Sequence, residues 1–480
     1  AGGAGGAGGS GVNATRNNGA GGGGGEGGAG AVLIGTPVAT NSGSISGGAG
    51  GAGGSAGLVA APTGIGQPGG GGDGGAGVVI QGNTITAVIN NNGSIAGGAG
   101  GVGGAHLSGG IAGASGAGGV GILGANLTIN NSGTISGGLS GDGVTQAAAV
   151  QFTGGSNTLA LSAGSTLSGR VDIGTGATAT IQSKAAGLSI GELVLGGAAT
   201  LDATSGSSLR VADTVSGTGG LTVTGAGTVL LSTANTYSGG TSVNGGNLRI
   251  GNSQALGSGA TTITDGSLTA QANVSVSNLT LGGTAARLAA ASGTTLNASG
   301  INVAAGTTIV VGTASDTGVV NAQGPGSPGD TTGALRVAGG TLTGALAGVW
   351  SANLASTTVD AGATLDYGSA NGSIRNLQGA GKVQAGATLS VGEGNFAGEI
   401  AGAGSLEKYG SGTLALSGNN SYGGGTALKG GRLDLGSNGA LGAGELAMDD
   451  GTTLGFAADG LNIGNNIRMT GTNDPVIDTG

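Results

Sequence analysis

Short apolar segments alternate with small polar turns along most of the chain. In the segments, apolar and polar residues alternate with the period of two that half-buried strands show. Gly, Asn, Ser or Asp turns interrupt them about every eight to twelve residues, and no sustained helical periodicity is present. Strands without helices in so repetitive a chain favour a β-solenoid over a sandwich. Strands are predicted at 150–152, 159–161, 171–173, 193–195, 221–223, 228–231, 308–311, 414–416 and 433–435.

One cassette recurs three times in the first third of the chain. It runs from Asn41 to Gly48 as Asn-Ser-Gly-Ser-Ile-Ser-Gly-Gly, and close copies begin at Asn91 and Asn131. Apolar strands precede each copy, at 32–34 and in the segments 78–80 with 84–89 and 120–123 with 127–129. Each cassette is too short to enclose a core alone, so identical coils must stack. Stacking would place Asn41, Asn91 and Asn131 above one another, where their amides can form a ladder.

Glycine tracts separate these cassettes, at 1–11, 19–30, 47–57, 69–77 and 97–119. Their lengths differ from coil to coil, which makes them insertions on one face of the solenoid. Several keep a Gly-Gly-X rhythm, and a threefold extended helix returns to the same edge every third residue. Two interpretations remain open: ordered polyglycine II helices packed side by side, or flexible linkers.

The sequence changes character near residue 145. Before it, glycine tracts dominate and charge almost vanishes, whereas regular strand alternation follows. The sequence therefore predicts a glycine-rich, insertion-bearing region at 1–145 and a regular β-helical shaft at 146–480.

Composition excludes several other classes of protein. Gly fills 123 of 480 positions, yet only 6 Pro are present and no triplet runs the full length, so collagen is excluded. A net charge of only −9 and 37% apolar residues do not fit simple disorder. Only 13 Lys and Arg argue against nucleic acid as a partner. No apolar run approaches the length of a membrane-spanning helix.

Two segments match each other without a gap at an offset of 185 residues, 217–259 and 402–444. Shared pairs include Asn235 with Asn420 and Tyr237 with Tyr422. The segments resemble the passenger-associated transport repeat of autotransporters, the type V secreted proteins of Gram-negative bacteria. The second copy, which extends to residue 446, fits nearly throughout and includes Lys408, with Leu428 where Val is usual. The first carries Val223 in place of that Lys and Thr233 in place of a Gly.

This resemblance implies a right-handed parallel β-helix on the bacterial surface, outer-membrane anchored or released, and a C-terminal outer-membrane β-barrel in the full-length protein. The chain opens without a signal-peptide pattern, and its tail is similar to the lead-in of a further repeat, so a fragment of a longer protein is expected. The absence of Cys agrees with translocation as an unfolded chain.

Candidate chemistry is sparse. The single histidine, His106, lies in a glycine tract without a rigid surrounding shell, which disfavours a catalytic triad. With no Cys and one His, a zinc site is not expected. Asp142 falls in one degenerate copy of a calcium nonapeptide, a site that needs tandem copies. No catalytic residue, metal ligand or cofactor is therefore predicted.

Carboxylates near cations are the remaining candidates for an enzyme, because other β-helices cleave polysaccharides with such groups. Each also fits a turn or a solvated strand face. Trp350 is expected to fill or cap a widened coil, and Tyr237 and Tyr422 to have a structural role at coil corners. The carboxylate candidates are Asp172 near Arg170, Asp202 near Arg210, Asp366 beside Tyr367, and Asp449 with Asp450.

The sequence thus predicts a non-enzymatic surface protein for adhesion, aggregation or assembly into filaments or biofilm, self-associating through its glycine-rich faces. Two alternatives stay open. One is a module that binds host glycan or protein through loops between coils, and the other is a polysaccharide-degrading β-helix.

Overall fold

The computed structural model describes residues 2–8, 20–35, 37–56, 66–82, 86–106, 110–324, 332–470, 472 and 475–479. These residues form two compact units, one of 1–241 with 254–259 and one of 242–253 with 260–480. Within the described ranges nearly all regular structure is short parallel strand. The predicted residues Thr84 and Ile85, and the parts of the predicted tracts at 1, 9–11, 19, 57 and 107–109, lie outside the described residues. The boundary predicted at residue 145 stays a prediction.

The first unit builds triangular coils from three- to six-residue strands. In chain order these are β1 (Ala31–Ile34), β2 (Val38–Asn41), β3 (Ser44–Ser46), β4 (Val78–Gln81), β5 (Ala87–Asn91), β6 (Ser94–Ala96), β7 (Ile122–Gly124), β8 (Leu127–Asn131), β9 (Thr134–Ser136), β10 (Val150–Phe152), β11 (Ser156–Leu161), β12 (Thr166–Ser168), β13 (Val171–Ile173), β14 (Thr178–Ser183), β15 (Leu188–Ile190), β16 (Leu193–Leu195), β17 (Ala198–Ala203), β18 (Ser208–Val211), β19 (Val215–Gly217), β20 (Leu221–Thr224) and β21 (Thr228–Leu231).

Every strand of this unit pairs in parallel with the corresponding strand of a neighbouring coil. One sheet runs β1-β4-β7-β10-β13-β16-β19 and a second runs β2-β5-β8-β11-β14-β17-β20. The third side is β3-β6-β9-β12 in the early coils and β15-β18-β21 in the later ones. The register stacks Leu159 on Ile181 and Ile181 on Leu201, all three fully buried. Because the same position repeats in every coil, the core is a file of Val, Ile and Leu side chains, as the alternation predicts.

Later strands follow in chain order, with one helix among the described residues. They are β22 (Thr241–Asn244), β23 (Asn247–Ile250), β24 (Thr261–Thr264), β25 (Ser267–Ala270), β26 (Val274–Ser277), β27 (Leu279–Gly282), β28 (Ala285–Ala290), β29 (Thr295–Ser299), β30 (Asn302–Val303), β31 (Thr308–Val311), β32 (Val319–Gln323), β33 (Ala334–Val337), β34 (Thr341–Thr343), α1 (Ala345–Asn353), β35 (Ser356–Val359), β36 (Thr364–Asp366), β37 (Gly372–Gly379), β38 (Lys382–Gln384), β39 (Leu389–Phe396), β40 (Glu399–Ala401), β41 (Leu406–Lys408), β42 (Thr413–Leu416), β43 (Thr426–Leu428), β44 (Arg432–Leu435), β45 (Leu446–Met448), β46 (Thr453–Phe456), β47 (Ile467–Met469) and β48 (Val476–Asp478).

The second unit repeats the same architecture. One ladder runs β23-β25-β28-β31-β33-β35-β37-β39, and another runs β26-β29-β32-β34-β36-β38-β40. The long strand β39 pairs with both β41 and β42, and two ladders continue from there to β47 and β48. The parallel β-helix predicted from the sequence is therefore confirmed in each unit.

Two corners show why glycine is needed at coil turns. Gly217 and Gly402 have φ of 107° and 114°, values that L side chains rarely adopt. A Cβ at Gly217 would lie 2.3 Å from the carbonyl oxygen of Leu195, and one at Gly402 would lie 2.1 Å from that of Ala385. The two glycines occupy matching positions of the two similar segments, so both turns are fixed in the same way.

The helix α1 was not predicted. Its segment has no capping residue and is rich in small residues, and Gly344 before it makes no side-chain cap. Trp350 is fully buried on this helix, as predicted for a filler or cap of a coil. Tertiary packing rather than intrinsic helix propensity therefore holds α1 in place.

Candidate functional site

The glycine tracts of the first unit form two layers of extended chain. Tracts at 2–8, 47–56, 97–106 and 137–141 are called the outgoing layer, because the last three leave β3, β6 and β9. Tracts at 20–30, 66–77 and 110–121, called the returning layer, lead into β1, β4 and β7. Each layer thus extends one sheet of the solenoid outward beyond its coils.

Within a layer, neighbouring tracts hydrogen-bond at every third residue and run parallel. Gly50 donates to the carbonyl of Ala99 at 2.8 Å, and Gly53 donates to that of Val102 at 2.8 Å. In the returning layer Gly71 donates to the carbonyl of Ala114 at 2.8 Å, and Gly74 donates to that of Ala117 at 2.9 Å. The tracts therefore keep the inter-coil register of the strands to which they are joined.

Between the layers, the second glycine of each triplet bonds an antiparallel tract. One file of such bonds runs through six consecutive steps at 2.7–2.9 Å, each amide donating to the carbonyl of the next glycine in the file. Most of its glycines are buried, so the interior between the layers consists of backbone alone. The file, in donor order, is Gly141, Gly116, Gly101, Gly72, Gly51, Gly25 and Gly6.

This packing leaves no space for a side chain at the two glycines of an inner triplet such as 50–52. A Cβ at Gly50 would lie 1.9 Å from the carbonyl oxygen of Gly72, and one at Gly51 would lie 1.9 Å from that of Gly6. Real Cβ atoms essentially never approach so closely, so both positions require glycine. The third position points outward, and Val102 there is 55% exposed.

The outward faces of the two layers differ in charge. On the outgoing layer the third position holds Ala, Val, Ser55 or Leu139, including the exposed Ala49, Ala99 and Val102. On the returning layer it includes the exposed carboxylates Glu26 and Asp73. The Asp73 carboxylate accepts a 2.7 Å hydrogen bond from the amide of Ala117. No charged side chain occupies a third position of the described outgoing tracts up to Leu139, beyond which Asp142 is exposed, whereas the returning face carries Glu26 and Asp73.

The two matching segments build the same side-chain clamp at one coil corner. The Asn235 amide accepts from the backbone of Val215 at 2.8 Å and donates to the carbonyl of Ala255. Asn420 does the same with Ile400 and Ala440. Each Asn thus ties together three successive coils, which stand 20 residues apart.

A buried tyrosine lies beside each Asn. Tyr237 and Tyr422 are fully buried, and their hydroxyls bond Thr241 at 2.5 Å and Thr426 at 2.6 Å. Burial raises the pKa of Tyr237 to about 12, against a smaller opposing effect of its hydrogen bond. Burial likewise raises the pKa of Tyr422. The two hydroxyls therefore stay protonated and form hydrogen bonds within the coil, which agrees with the structural role expected for both tyrosines.

The second segment adds a buried cation. Lys408 is fully buried, and its ammonium donates to the carbonyls of Tyr409 at 2.8 Å, Gly410 at 3.1 Å and Gly430 at 2.9 Å. Desolvation lowers its pKa, against an opposing attraction to Glu393. Three carbonyl acceptors match the three donors of an ammonium group, so the charge is compensated without a counter-ion in contact.

The residues that the sequence offers as candidates for catalysis or metal binding are scattered across the coils. The amide of Gly110 donates to Nδ1 of His106 at 3.1 Å, near the end of an outgoing tract. Asp142 closes a turn by accepting bonds from Ser140 and Val144, and the Ser140 bond is the main cause of its lowered pKa. Among the described residues no three His, Cys, Asp or Glu lie close enough to hold a metal ion.

The carboxylate candidates are held by structural bonds. Arg170 pairs with Asp172 at 2.8 Å, whereas Asp202 accepts a 2.8 Å bond from Gln182. Asp366 accepts from the amide of Gly368, and the buried Tyr367 beside it donates to Ser351. Burial raises the pKa of that Tyr367 hydroxyl.

Asp449 is held in a small surface network. Thr470 donates to its carboxylate, and Lys429 lies 3.1 Å from it. The Thr470 bond, followed by the one from Lys429, lowers the pKa of Asp449. Asp450 lines the same surface depression as these residues. The network contains both cationic and anionic side chains, as a solvent-exposed, ion-paired strand face does.

Comparison with known proteins identifies the repeated segments. A family described as Passenger-associated-transport-repeat matches residues 221–250 and 406–435, within the two segments that contain the clamps. The predicted resemblance to autotransporter passengers is confirmed at these two sites. No curated protein and no solved structure matches the chain. No helix in the described ranges has the length and hydropathy to cross a membrane.

Proposed function

Since the chain carries two transport repeats of autotransporter passengers, which imply a secreted or surface-exposed protein, we propose that it is a non-enzymatic surface shaft whose glycine layers join it to further copies of itself. The two layers are polyglycine II helices, and their outgoing face is the surface of association. The observation that carries this function is the contrast between the uncharged outgoing face and the acidic returning face.

The geometry of the outgoing face suits contact with a second such face. Threefold extended chains place their third residues about 9 Å apart along a tract, at about 3.1 Å per residue. Neighbouring tracts follow the parallel register of β3, β6 and β9, whose spacing is about 4.8 Å in sheets. Small apolar side chains on this regular grid contribute hydrophobic area without long side chains that would lose rotamer entropy.

An enzymatic role has less support. Glycoside hydrolysis by a β-helix needs two carboxyl groups about 5–10 Å apart and free to act on substrate. The predicted candidates Asp172, Asp202 and Asp366 are instead bonded to Arg170, Gln182 and the backbone of Gly368.

The test places charge on one face at a time. Ala49→Glu with Ala99→Glu changes the outgoing face, and Ala114→Glu with Ala117→Glu is the matched change on the returning face. Sedimentation velocity and electron microscopy should show oligomers or lateral arrays for the unchanged chain and for the returning-face variant. The outgoing-face variant should be monomeric with an unchanged circular dichroism spectrum. An unchanged chain that stays monomeric, or two variants that assemble equally, would refute the proposal.

A further inference from the structure

A polar groove of about 740 Å³ lies in the second unit beside the carboxyl end of α1. Ala352 and Ala355 form one side of it. Arg375, Glu393 and the loop 409–412, which belong to three successive coils, form the other side. Neither the clamps nor the glycine layers contribute to this groove.

The groove exists because β37 and β39 turn a corner in mid-strand. Ile374 and Leu377 of β37 are both buried, so the two residues between them face outward. The register places Ile374 against Val391 of β39 and Asn376 against Glu393. Arg375 and Glu393 therefore project from neighbouring coils at the same corner.

Glycines allow side chains to lie flat on this corner. A Cβ at Gly392 would come within 3.4 Å of Cζ of Tyr409, so the Tyr409 ring lies against that backbone. A Cβ at Gly412 would lie 2.2 Å from Oε2 of Glu393, so the carboxylate rests over Gly412. Nε of Arg375 donates to the carbonyl of Ala352 at 3.2 Å, which fixes the guanidinium at the edge of α1.

Tyr409 is also unusual among the tyrosines. The other three, Tyr237, Tyr367 and Tyr422, are buried at 7% exposure or less, whereas Tyr409 is half-buried and lines the groove. An aromatic ring at a groove offers an apolar face and a polar hydroxyl together.

The buried Lys408 ammonium holds the loop that carries Tyr409 in position. Two of the three bonds from the Lys408 ammonium go to the carbonyls of Tyr409 and Gly410 in this loop. The first repeat has Val223 and Thr224 at the matching positions, so it lacks both the buried cation and the ring. The groove is thus a feature of the second repeat alone.

We propose that this groove binds a saccharide of a cell-surface polysaccharide, with one sugar ring lying on Tyr409. The C–H face of a pyranose packs on the ring, while its hydroxyls donate to Glu393 and accept from the guanidinium of Arg375 and from Ser411. Among the residues lining the groove Glu393 is the sole carboxylate, whereas hydrolysis uses two. The site therefore binds the sugar and leaves the chain intact. Lys408 is a positioning residue, because it acts through the loop.

The experiment uses the full chain on a printed array of microbial and mammalian glycans, followed by titration calorimetry with the glycan that binds best. Tyr409→Ala should weaken binding at least about fivefold, since aromatic contacts contribute beyond their buried area. Tyr409→Phe should retain most of the affinity, because it keeps the ring. Gly412→Ala, which displaces the Glu393 carboxylate but removes no groove side chain, should also weaken binding. Thr224→Ala at the corresponding corner of the first repeat is the matched control.

The outcomes separate this proposal from the one for the glycine layers. Binding that Tyr409→Ala weakens at least about fivefold and Thr224→Ala retains, with an unchanged thermal midpoint for both, supports the groove. An array on which the unchanged chain binds no glycan refutes it, as does binding that Tyr409→Ala and Gly412→Ala leave intact. The outgoing-face variant Ala49→Glu with Ala99→Glu should bind the glycan normally, whatever its state of assembly.

Discussion

The side-chain amide of Asn91 donates a 2.8 Å hydrogen bond to Oδ1 of Asn131, although 40 residues separate them in sequence. Oδ1 of Asn91 in turn accepts a 2.8 Å bond from Asn41, so three coils share one ladder. All three amides are buried, and their remaining donors reach backbone carbonyls such as Thr134. The ladder predicted from the repeated cassettes is therefore present.

Removing the middle amide should destabilise the first unit. Asn91→Ala leaves buried partners on Asn41 and Asn131 unsatisfied, with an expected loss of about 1–3 kcal/mol in the free energy of unfolding. Urea denaturation followed by circular dichroism measures it. Asn92→Ala, at an exposed position whose side-chain oxygen accepts a bond from Ser132, should change stability by less than about 0.5 kcal/mol. Equal losses in the two variants would contradict the ladder's role.

Alanine should be tolerated at one glycine of the returning layer and not at another two residues away. A Cβ at Gly72 would lie 2.1 Å from the carbonyl oxygen of Gly25, whereas one at Gly70 has its nearest neighbour at 3.5 Å. Gly72→Ala should therefore abolish the protection of neighbouring amides from hydrogen exchange. Gly70→Ala should preserve it and add up to about 1 kcal/mol by reducing the entropy of the unfolded chain. Similar exchange in both variants would argue against the close-packed layers.

Alkaline pH should destabilise the clamp of the first repeat. The pKa of Tyr237 is raised from 10.0 to about 12, so the folded state holds its proton more tightly than the unfolded state does. Its contribution is fully present below pH 10 and is lost as the pH rises through about 12. Tyr237→Phe should lower stability at neutral pH by about 1 kcal/mol through loss of the Thr241 bond. The difference between variant and unchanged chain should shrink between pH 10 and 12; a constant difference would contradict it.

Lys408→Met should be costly, although it replaces a charge with an apolar side chain. The change leaves the carbonyls of Tyr409, Gly410 and Gly430 without the ammonium that binds them, an expected loss of about 1–3 kcal/mol. The control is Lys429→Met one coil later, where the cation is 47% exposed and pairs with Asp449. That pair should contribute less than about 1 kcal/mol. Thermal unfolding measures both, and a larger loss for Lys429→Met would overturn the assignment.

Sequence periodicity predicted those features that depend on one coil repeating the next. The strands at 193–195 and 221–223 appear as β16 and within β20, because alternation alone decides which face is buried. The Asn ladder followed from equal placement of Asn41, Asn91 and Asn131 in their cassettes. The positions of Tyr237 and Tyr422 followed from the repeat.

The groove could not be predicted in this way. Arg375, Glu393 and Tyr409 come together only through the register of β37, β39 and β41, which differs locally from simple alternation. Helix α1, which closes the groove, has no capping signal and depends on the burial of Trp350. Both features arise where the coil departs from its repeat, and a pattern search detects only what recurs.

The hydrogen-bonded file through Gly72, Gly51 and Gly25 also restricts how the glycine tracts can change length. An insertion of one or two residues would move side-chain-bearing positions into the space that backbone occupies, whereas three residues restore the phase. A tract and the one it bonds must then grow by equal steps, because each supplies the other's partners. Loops between coils usually accept insertions of any size. Here an insertion must add residues in multiples of three, and an outgoing tract must lengthen together with the returning tract that it bonds.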